Sequence, residues 1–443
     1  MVPLALASGP AAGNGALPDA QNVLTPGDRP LEIIIPTNFG VVLSHDAGAT
    51  WLWTCEQDAN ALGWNYQIGL SPRHRVFTVA NKALAYSDDS TCGWRVAGGS
   101  VTGLEISDAW VDRALPDRVL AIGVRCCDGD NHIYAAFESA DGGTTFGAPR
   151  YVAASGDTLT GIESSVSDPA TIYMTMSVGA TAYRPTLARS ADGGGSWQLN
   201  DLTASLGKGS VRLMAVDPRN ADKVFLLWND PINGQSVAAT ENKGATATIR
   251  WQPTADGEVI KAFIDMDADS GTLLLATDAQ GVAALHLSRD GGKTFEPVAH
   301  PPHIRGFSQR GATIYAATDN FADGYALATS TDGGSTWRPL MSYDHVQAIA
   351  GCVKATCQSM CVAQVPTLWS ADVCSADPSI VSKAGAASAG CAIAGAGDGY
   401  PQQAVAGRAT LLKIFGQLPF QTLPLLSAWW LLVIVRRRQR TIR

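Results

Sequence analysis

Short apolar runs alternate with polar turns along most of the chain. Between Val211 and Trp251 the order is "VRLMAV", the turn "DPRNAD", "KVFLLW", a loop opened by "NDP", "SVAAT", a polar stretch and "TIRW". Runs of four to six residues rich in Val, Leu, Ile, Phe and Trp, bounded by Asp, Asn, Gly and Pro, predict strands. The order returns as "VIKAFI", "DMDADSG", "TLLLAT", "AALHLS", and again as "HIRGFS", "QRGA", "TIYAAT", "YALATS". Each unit predicts four antiparallel strands, here a, b, c and d.

The polar stretch between c and d is itself a repeat. Ser190–Trp197 reads "SADGGGSW", and near-copies are "SHDAGATW" from Ser44, "SADGGTTF" from Ser139, "SRDGGKTF" from Ser288 and "STDGGSTW" from Ser330. Two degenerate copies fill the gaps, "SDDSTCGW" from Ser87 and "TENKGATA" from Thr240. Successive starts are 42 to 52 residues apart. A four-strand repeat of that period predicts an all-β, seven-bladed β-propeller of four-stranded blades. Before the first copy there is room for only "LEIIIP" and "GVVLS", whereas "HVQAIA" (His345–Ala350) follows the last as a strand without a blade. The expectation is that this C-terminal strand joins the first blade as its innermost strand and closes the ring, removing exposed edges.

Every element of the octapeptide has a structural job. The acidic or amide side chain (Asp46, Asp89, Asp141, Asp192, Asn242, Asp290, Asp332) accepts hydrogen bonds from nearby backbone N–H groups, and Gly supplies positive φ. The aromatic packs between sheets. An EF-hand would need alternating acids and a terminal Glu, which these turns lack, and "DMDADSG" has Gly271 at its seventh place and Ala276 at its twelfth. No metal and no cofactor is expected.

Composition adds to this picture at the ends. The 443 residues carry a net charge of −8 with no basic patch in the body, so nucleic acid is not an expected partner. Residues 1–30, beginning "MVPLALASGPAAG", read as a signal remnant or disordered lead. Residues 31–350 are the ring. Residues 351–374 hold "CVKATCQSMC" and Cys374, a small segment with no CxxC and no histidine, which favours disulfides over zinc. Cys352, Cys357, Cys361 and Cys374 suffice for two bridges, leaving Cys391 single or paired with the body. Cys55 and Cys92, near d strands of neighbouring blades, are candidates for an inter-blade disulfide. Adjacent Cys126 and Cys127 leave separate partners and a vicinal bridge both open. Residues 375–413 are an Ala/Gly/Ser-rich linker. Residues 414–443 contain the apolar run Ile414–Val435 followed by "RRRQRTIR", a membrane span with a cytoplasmic basic end or, given Pro419 and Pro424, a buried or interfacial segment.

The octapeptide resembles the Asp-box, or BNR, repeat of sialidases and sortilin-type receptors, matched at Ser190, Asp192, Gly194, Ser196 and Trp197 and in four other copies. The resemblance implies the propeller and is shared by enzymes and non-enzymes. A sialidase would also need an arginine cluster and an Arg-Ile-Pro motif before the first box. "LEIIIPTNFGVVLS" has no arginine, and the nearest tripeptide is "YRP" at Tyr183–Pro185. The C-terminus resembles the tails of myxobacterial surface proteins, with Gly390–Cys391, the apolar run and Arg436–Arg438. That likeness implies export to the cell surface or outer membrane, with Cys391 as processing or anchoring point.

In an a–b–c–d meander all seven boxes fall on one face, and b–c loops fall on the other. The b–c loops carry Asp130, Asn131, His132, Tyr183, Arg184, Asn229, Asp230, Asn320 and Asp323, amides, carboxylates and an aromatic suited to hydrogen bonding and stacking. The favoured reading is a non-catalytic cell-surface or secreted propeller binding glycan or protein through this face. The alternative is a glycan-cleaving hydrolase, sialidase-like or with two carboxylates.

Overall fold

The computed structural model describes residues 19–349 except 39, 56–63, 81, 89–90, 92, 129–130, 180–182 and 266–270. Seven four-stranded sheets follow one another in chain order, with one extra two-stranded pairing between Gly98–Gly99 and Thr145–Phe146. Blade 4 is typical. Its strands are Thr158–Ser164, Ile172–Val178, Arg184–Ser190 and Gln198–Asp201, each antiparallel to the next. Among the described residues the helices are one-turn pieces, Thr203–Leu206 and Asn320–Asp323, and a 3-10 turn at Tyr343–His345. No helix there is long and apolar enough to cross a membrane. Ile414–Val435, Cys92 and every cysteine from Cys352 on lie outside the described residues, as do the side chains of Cys55, Cys126 and Cys127.

The ring closes differently from the sequence expectation. Val346–Ile349 does join blade 1, but parallel to its d strand Trp51–Cys55, on the outer edge. The innermost place is taken by residues 19–25, which the sequence reading assigned to the lead. Ala20 and Leu24 bridge antiparallel to Thr37 and Ile34 of the b strand Ile33–Thr37, and Leu24 and Ile34 exchange backbone bonds of 2.8 and 3.0 Å. The ring therefore includes residues 19–25, ahead of Leu31. With the inner edge of blade 1 already paired, the C-terminal strand has only the outer edge to complete.

Blade 7 meets blade 1 through one apolar cluster. Ala20, Val23, Ile33, Ile35, Val42, Trp51 and Trp53 of blade 1 pack with Tyr315, Ala317, Ala326, Leu327 and Met341 of blade 7, and Tyr343 and Val346 complete it. Thr25 N–H and hydroxyl bond to Ser308 Oγ at 3.1 and 2.6 Å, and Arg310 Nη1 donates to Glu32 O at 2.8 Å.

The c–d turns share one bond pattern. In blade 4, Ser190 Oγ donates to Asp192 Oδ1 (2.8 Å) and accepts from Gly194 N (2.8 Å). Asp192 Oδ1 accepts from Ser196 N (2.9 Å), and Ser196 Oγ donates to Asp192 Oδ2 (2.7 Å). The same set recurs around Asp46, Asp141, Asp290 and Asp332. Around Asn242, with Thr240 in place of Ser, three of the bonds are kept and the fourth is reversed, Asn242 Nδ2 donating to Thr246 Oγ1 at 2.9 Å. At the aspartates these bonds favour the charged carboxylate. The Thr50 hydroxyl and N–H, then the Ser44 hydroxyl, hold Asp46 at about 2, and the matching groups hold Asp192 and Asp332 at about 2. In blade 2 Asp89 lies outside the described residues, and Thr91 takes the glycine position with φ +76°, its N–H bonded to Ser87 Oγ at 3.0 Å.

Candidate functional site

The innermost strands of blades 2 to 7 each carry a register irregularity where an extra residue bends the strand, toward the b–c end in blades 2, 3, 4, 6 and 7 and toward the a–b end in blade 5. Polar side chains tie these strands to the next blade. Gln67 Oε1 accepts from Val111 N, Asp108 Oδ2 from Ile162 N, Glu163 Oε1 from Val216 N and Gln235 Oε1 from Ile260 N. Asp108 and Glu163 are thus acids spent on joining blades.

In blades 6 and 7 the bulge residues are cations, Lys261 between Ile260 and Ala262, and Arg305 between Ile304 and Gly306. They gather with residues from two other places. Arg305 Nη2 bonds Asp319 Oδ2 at 2.7 Å, and its Nε lies 3.7 Å from Asp19 Oδ2. Asp319 also caps the turn Asn320–Asp323, its Oδ1 accepting from Phe321 N (3.0 Å) and Ala322 N (3.1 Å). Burial pushes the Asp319 carboxyl up, but the cap bonds and Arg305 outweigh it and hold it below the usual range. Asp19 goes the other way. Burial raises it to about 6 and Asp319 adds to this, against the pull of Arg305. Burial, with Asp19 and Asp319 nearby, pushes the Tyr343 phenol well up, and burial pushes the Lys261 ammonium down. These groups sit at the b–c end of blades 6, 7 and 1, where Asn38 N–H donates to Asp19 O.

Of the residues expected on this face, Asn320 and Asp323 adjoin this cluster. Asn320 Oδ1 accepts from Tyr343 N at 3.3 Å. Asp323 holds His303, with Oδ2 accepting its N–H at 2.9 Å and Oδ1 its Nδ1 at 2.8 Å, while Nε2 donates to Gly281 O at 3.1 Å. Burial disfavours the charged ring, but these acceptors outweigh it and raise the His303 pKa. A second group forms between blades 4 and 5. Tyr183, at φ +40°, accepts from Gly209 N through its carbonyl, and Asn229 Nδ2 donates to Ser210 Oγ at 3.1 Å. Arg184 Nη1 lies 3.3 Å from Asp201 Oδ2, and Asp230 Oδ1 accepts from Ile232 N within its own turn. His132 is half-buried; Asp130 and the Asn131 side chain lie outside the described residues. Asp19, Lys261, Arg305, Asp319 and His303 were not singled out from sequence.

The b–c ends also carry apolar side chains. Ile133, Tyr183, Ile232, Val282 and Phe321 stand one per blade on blades 3 to 7, all exposed, Ile232 by 87% and Val282 by 68%. The other exposed large apolar residues divide between a–b turns and outermost strands. An open hollow of about 450 Å³ lies elsewhere, between Gly48, Ala49, Trp51, Leu340, Asp344 and His345. Among the described residues no group of three or more His, Cys, Asp or Glu is placed to hold a metal ion.

The raised Asp19 pKa has a testable consequence. Between about pH 4 and 6 the unfolded chain loses this proton while the folded chain keeps it, so Asp19 costs stability increasingly as pH rises through that window. Asp19→Asn is expected to stabilise the protein at pH 7 by about 1–2 kcal/mol, discounted for solvent screening of a partly exposed group, and not at pH 3.5. Urea midpoints at the two pH values check this, and equal shifts at both would refute it.

No protein-family model matches the chain, and no curated protein matches it in sequence. Solved structures do resemble it. The GH74 enzyme of Niastella koreensis is 13% identical over 72% of this chain and 65% of that one, with a TM-score of 0.40. The GH74 xyloglucanase from Xanthomonas campestris is 13% identical over 72% and 58%, TM-score 0.39. The β-propeller domain of the trilobed protease from Pyrococcus furiosus is 11% identical over 74% and 99%, TM-score 0.47. The chain spans less than two thirds of the length of either GH74 enzyme.

Proposed function

We propose that this is a non-catalytic binding propeller of the Asp-box type, displayed at the cell surface by its C-terminal segment, which takes a protein partner on its b–c face. The observation that carries the reading is the arc Ile133, Tyr183, Ile232, Val282 and Phe321. Large apolar side chains on consecutive blades, three aliphatic and two aromatic, held in water match the apolar anchors of a protein surface. The polar groups between them support binding over turnover. Asp230 closes its own turn and Arg184 pairs with Asp201, so neither is free to act on a substrate.

Panning a displayed random-peptide library against the full chain tests this. Enriched peptides should carry apolar anchors, and Ile232→Ser or Phe321→Ser should weaken them about 10- to 100-fold. Val166→Ser, on an a–b turn, should leave them unchanged. Peptides indifferent to the b–c substitutions would refute the reading.

Glycan hydrolysis is the second reading, favoured by the opposite displacement of the Asp19 and Asp319 pKa values, the pattern of an acid and a base. Against it, Asp319 spends both oxygens on Arg305 and on the helix cap. Turnover of any fluorogenic glycoside, abolished by Asp19→Asn, would establish it over binding alone.

A further inference from the structure

We propose that His303 is a proton-operated staple between the b–c loops of blades 6 and 7, closed while its ring is charged and open once it is neutral, and that it regulates the part of the apolar arc carried by Val282 and Phe321. The regulation rests on the reading of the arc as a partner-binding face; the staple itself does not.

His303 lies on the link from the outer strand of blade 6, Glu296–Pro297, to the inner strand of blade 7, Ile304–Arg310. Its backbone belongs with blade 7. The N–H donates to Asp323 Oδ2 at 2.9 Å, and the carbonyl accepts from Asp319 N at 3.0 Å. Its ring reaches both ways. Nδ1 stands 2.8 Å from Asp323 Oδ1, and Nε2 stands 3.1 Å from the carbonyl oxygen of Gly281. Gly281 closes a two-residue hairpin turn, since Ala279 pairs with Val282 while Gln280 and Gly281 take φ of +54° and +86°. Among the described residues no other hydrogen bond joins residues 279–282 to blade 7.

The partners decide the proton count. A carbonyl oxygen can only accept, and Asp323 already accepts through its other oxygen, so both ring nitrogens face acceptors. A neutral imidazole has one N–H; the imidazolium donates from both nitrogens. When the ring loses a proton, the carboxylate keeps the one on Nδ1, because that bond is charge-assisted. Nε2 then turns a lone pair towards the Gly281 oxygen, and the attraction between the loops becomes a repulsion. The charged groups around the ring are Asp323 and Asp319 of blade 7, with Arg305 paired to Asp319, and Asp278 of blade 6, which accepts from Gly281 N. Burial opposes the charge, but Asp323, the Gly281 carbonyl and Asp319 outweigh it and lift the ring above its ordinary range. The staple therefore opens at neutral to mildly alkaline pH. The side chain is 25% exposed, so water can take the proton.

The two loops carry two anchors of the arc. Val282 follows Gly281, and Phe321 stands in the turn Asn320–Asp323; both are exposed. A closed staple fixes their spacing before a partner arrives, which lowers the entropy cost of ordering them on contact. Binding is therefore tighter in mildly acidic medium.

Side-chain nitrogen NMR of the full chain from about pH 6 to about pH 9 tests the staple without any partner. Both His303 nitrogens should carry protons in the acidic form, and Nε2 should lose its proton with a midpoint above 6.5. Hydrogen-exchange protection at residues 281–282, corrected for intrinsic rates, should fall roughly 5- to 50-fold with the same midpoint. His300→Gln, which removes an exposed histidine of the same link, should alter neither result. A panned, histidine-free peptide that depends on Phe321 tests the regulation. Its affinity should fall roughly 5- to 50-fold over this range, and saturating peptide should raise the His303 midpoint, because coupling is reciprocal. His303→Gln, which cannot become charged, should flatten the profile. The proposal is overturned if Nε2 bears no proton in the acidic form, if residues 281–282 are indifferent to the titration, or if the peptide binds equally across the range. If no peptide depends on the arc, the partner reading alone fails, and the ring titration and exchange still decide the staple.

Discussion

Trp53→Ala is expected to cost about 3–5 kcal/mol, the range for deleting a fully buried large aromatic, and to loosen the ring at one place. At six of the seven blade junctions the chain runs from the outer strand of one blade into the inner strand of the next. Between blades 7 and 1 it crosses instead to the outer edge of blade 1, through Val346–Ile349, so the inner strands at that junction are held together by side chains. Trp53 is 0% exposed within the cluster that joins them, beside Met341, Tyr343 and Val346. Removing the indole takes contacts from both ends of the ring at once, and the surrounding strands cannot collapse into the space without moving whole blades. Hydrogen exchange should therefore rise first at residues 19–25 and at Val346. Trp197 offers the comparison. It is half-buried at the end of a c–d turn, its Nε1 bonded to Arg150 O at 3.2 Å. Trp197→Ala should lower the urea midpoint far less and leave exchange at the seam unchanged. Equal effects of the two substitutions would show that the seam is not a weak point.

What was legible in the sequence depended on how local the physics is. The octapeptide turns were readable because Ser, Asp and Gly act on one another within five residues, and the bonds around Asp192 are those the spacing demands. The count of seven blades followed from those turns alone. Residues 19–25 were not readable as a strand. "DAQNVLT" is half polar, and it earns its place only because Ala20 and Val23 meet Tyr315 and Leu327 nearly three hundred residues away. The site was hidden for a related reason. Lys261 and Arg305 sit on bulges, and a bulge is a mismatch between two strands that neither strand announces by itself. The loop residues were legible as position but not as role. Asp230 and Asp323 do lie at b–c turns, yet one closes a turn and the other holds His303.

The glycine positions of the c–d turn carry the second large effect, because two adjacent glycines answer to different constraints. Gly143, at φ +79°, lies against the preceding blade, where an added Cβ would stand 2.5 Å from the Phe77 ring and 3.3 Å from Val119 Cγ2. Gly193, at φ +69° in the next turn, has nothing within 4 Å. Gly193→Ala should therefore cost only the left-handed backbone, about 1–2 kcal/mol, whereas Gly143→Ala adds overpacking and should reach about 2–5 kcal/mol. Thr91 shows that a side chain can occupy the same place as Gly143 when the neighbouring blade leaves room. At φ +76° its hydroxyl lies 3.2 Å from Thr54 Oγ1 on blade 1. If crowding by Phe77 is what separates Gly143 from Gly193, then Phe77→Leu should recover part of the loss in the Gly143→Ala background. Relative to each single substitution, the double-mutant cycle in urea should show coupling of about 0.5–3 kcal/mol. Strict additivity would mean that the backbone conformation alone selects glycine here, and that the contact between blades is incidental.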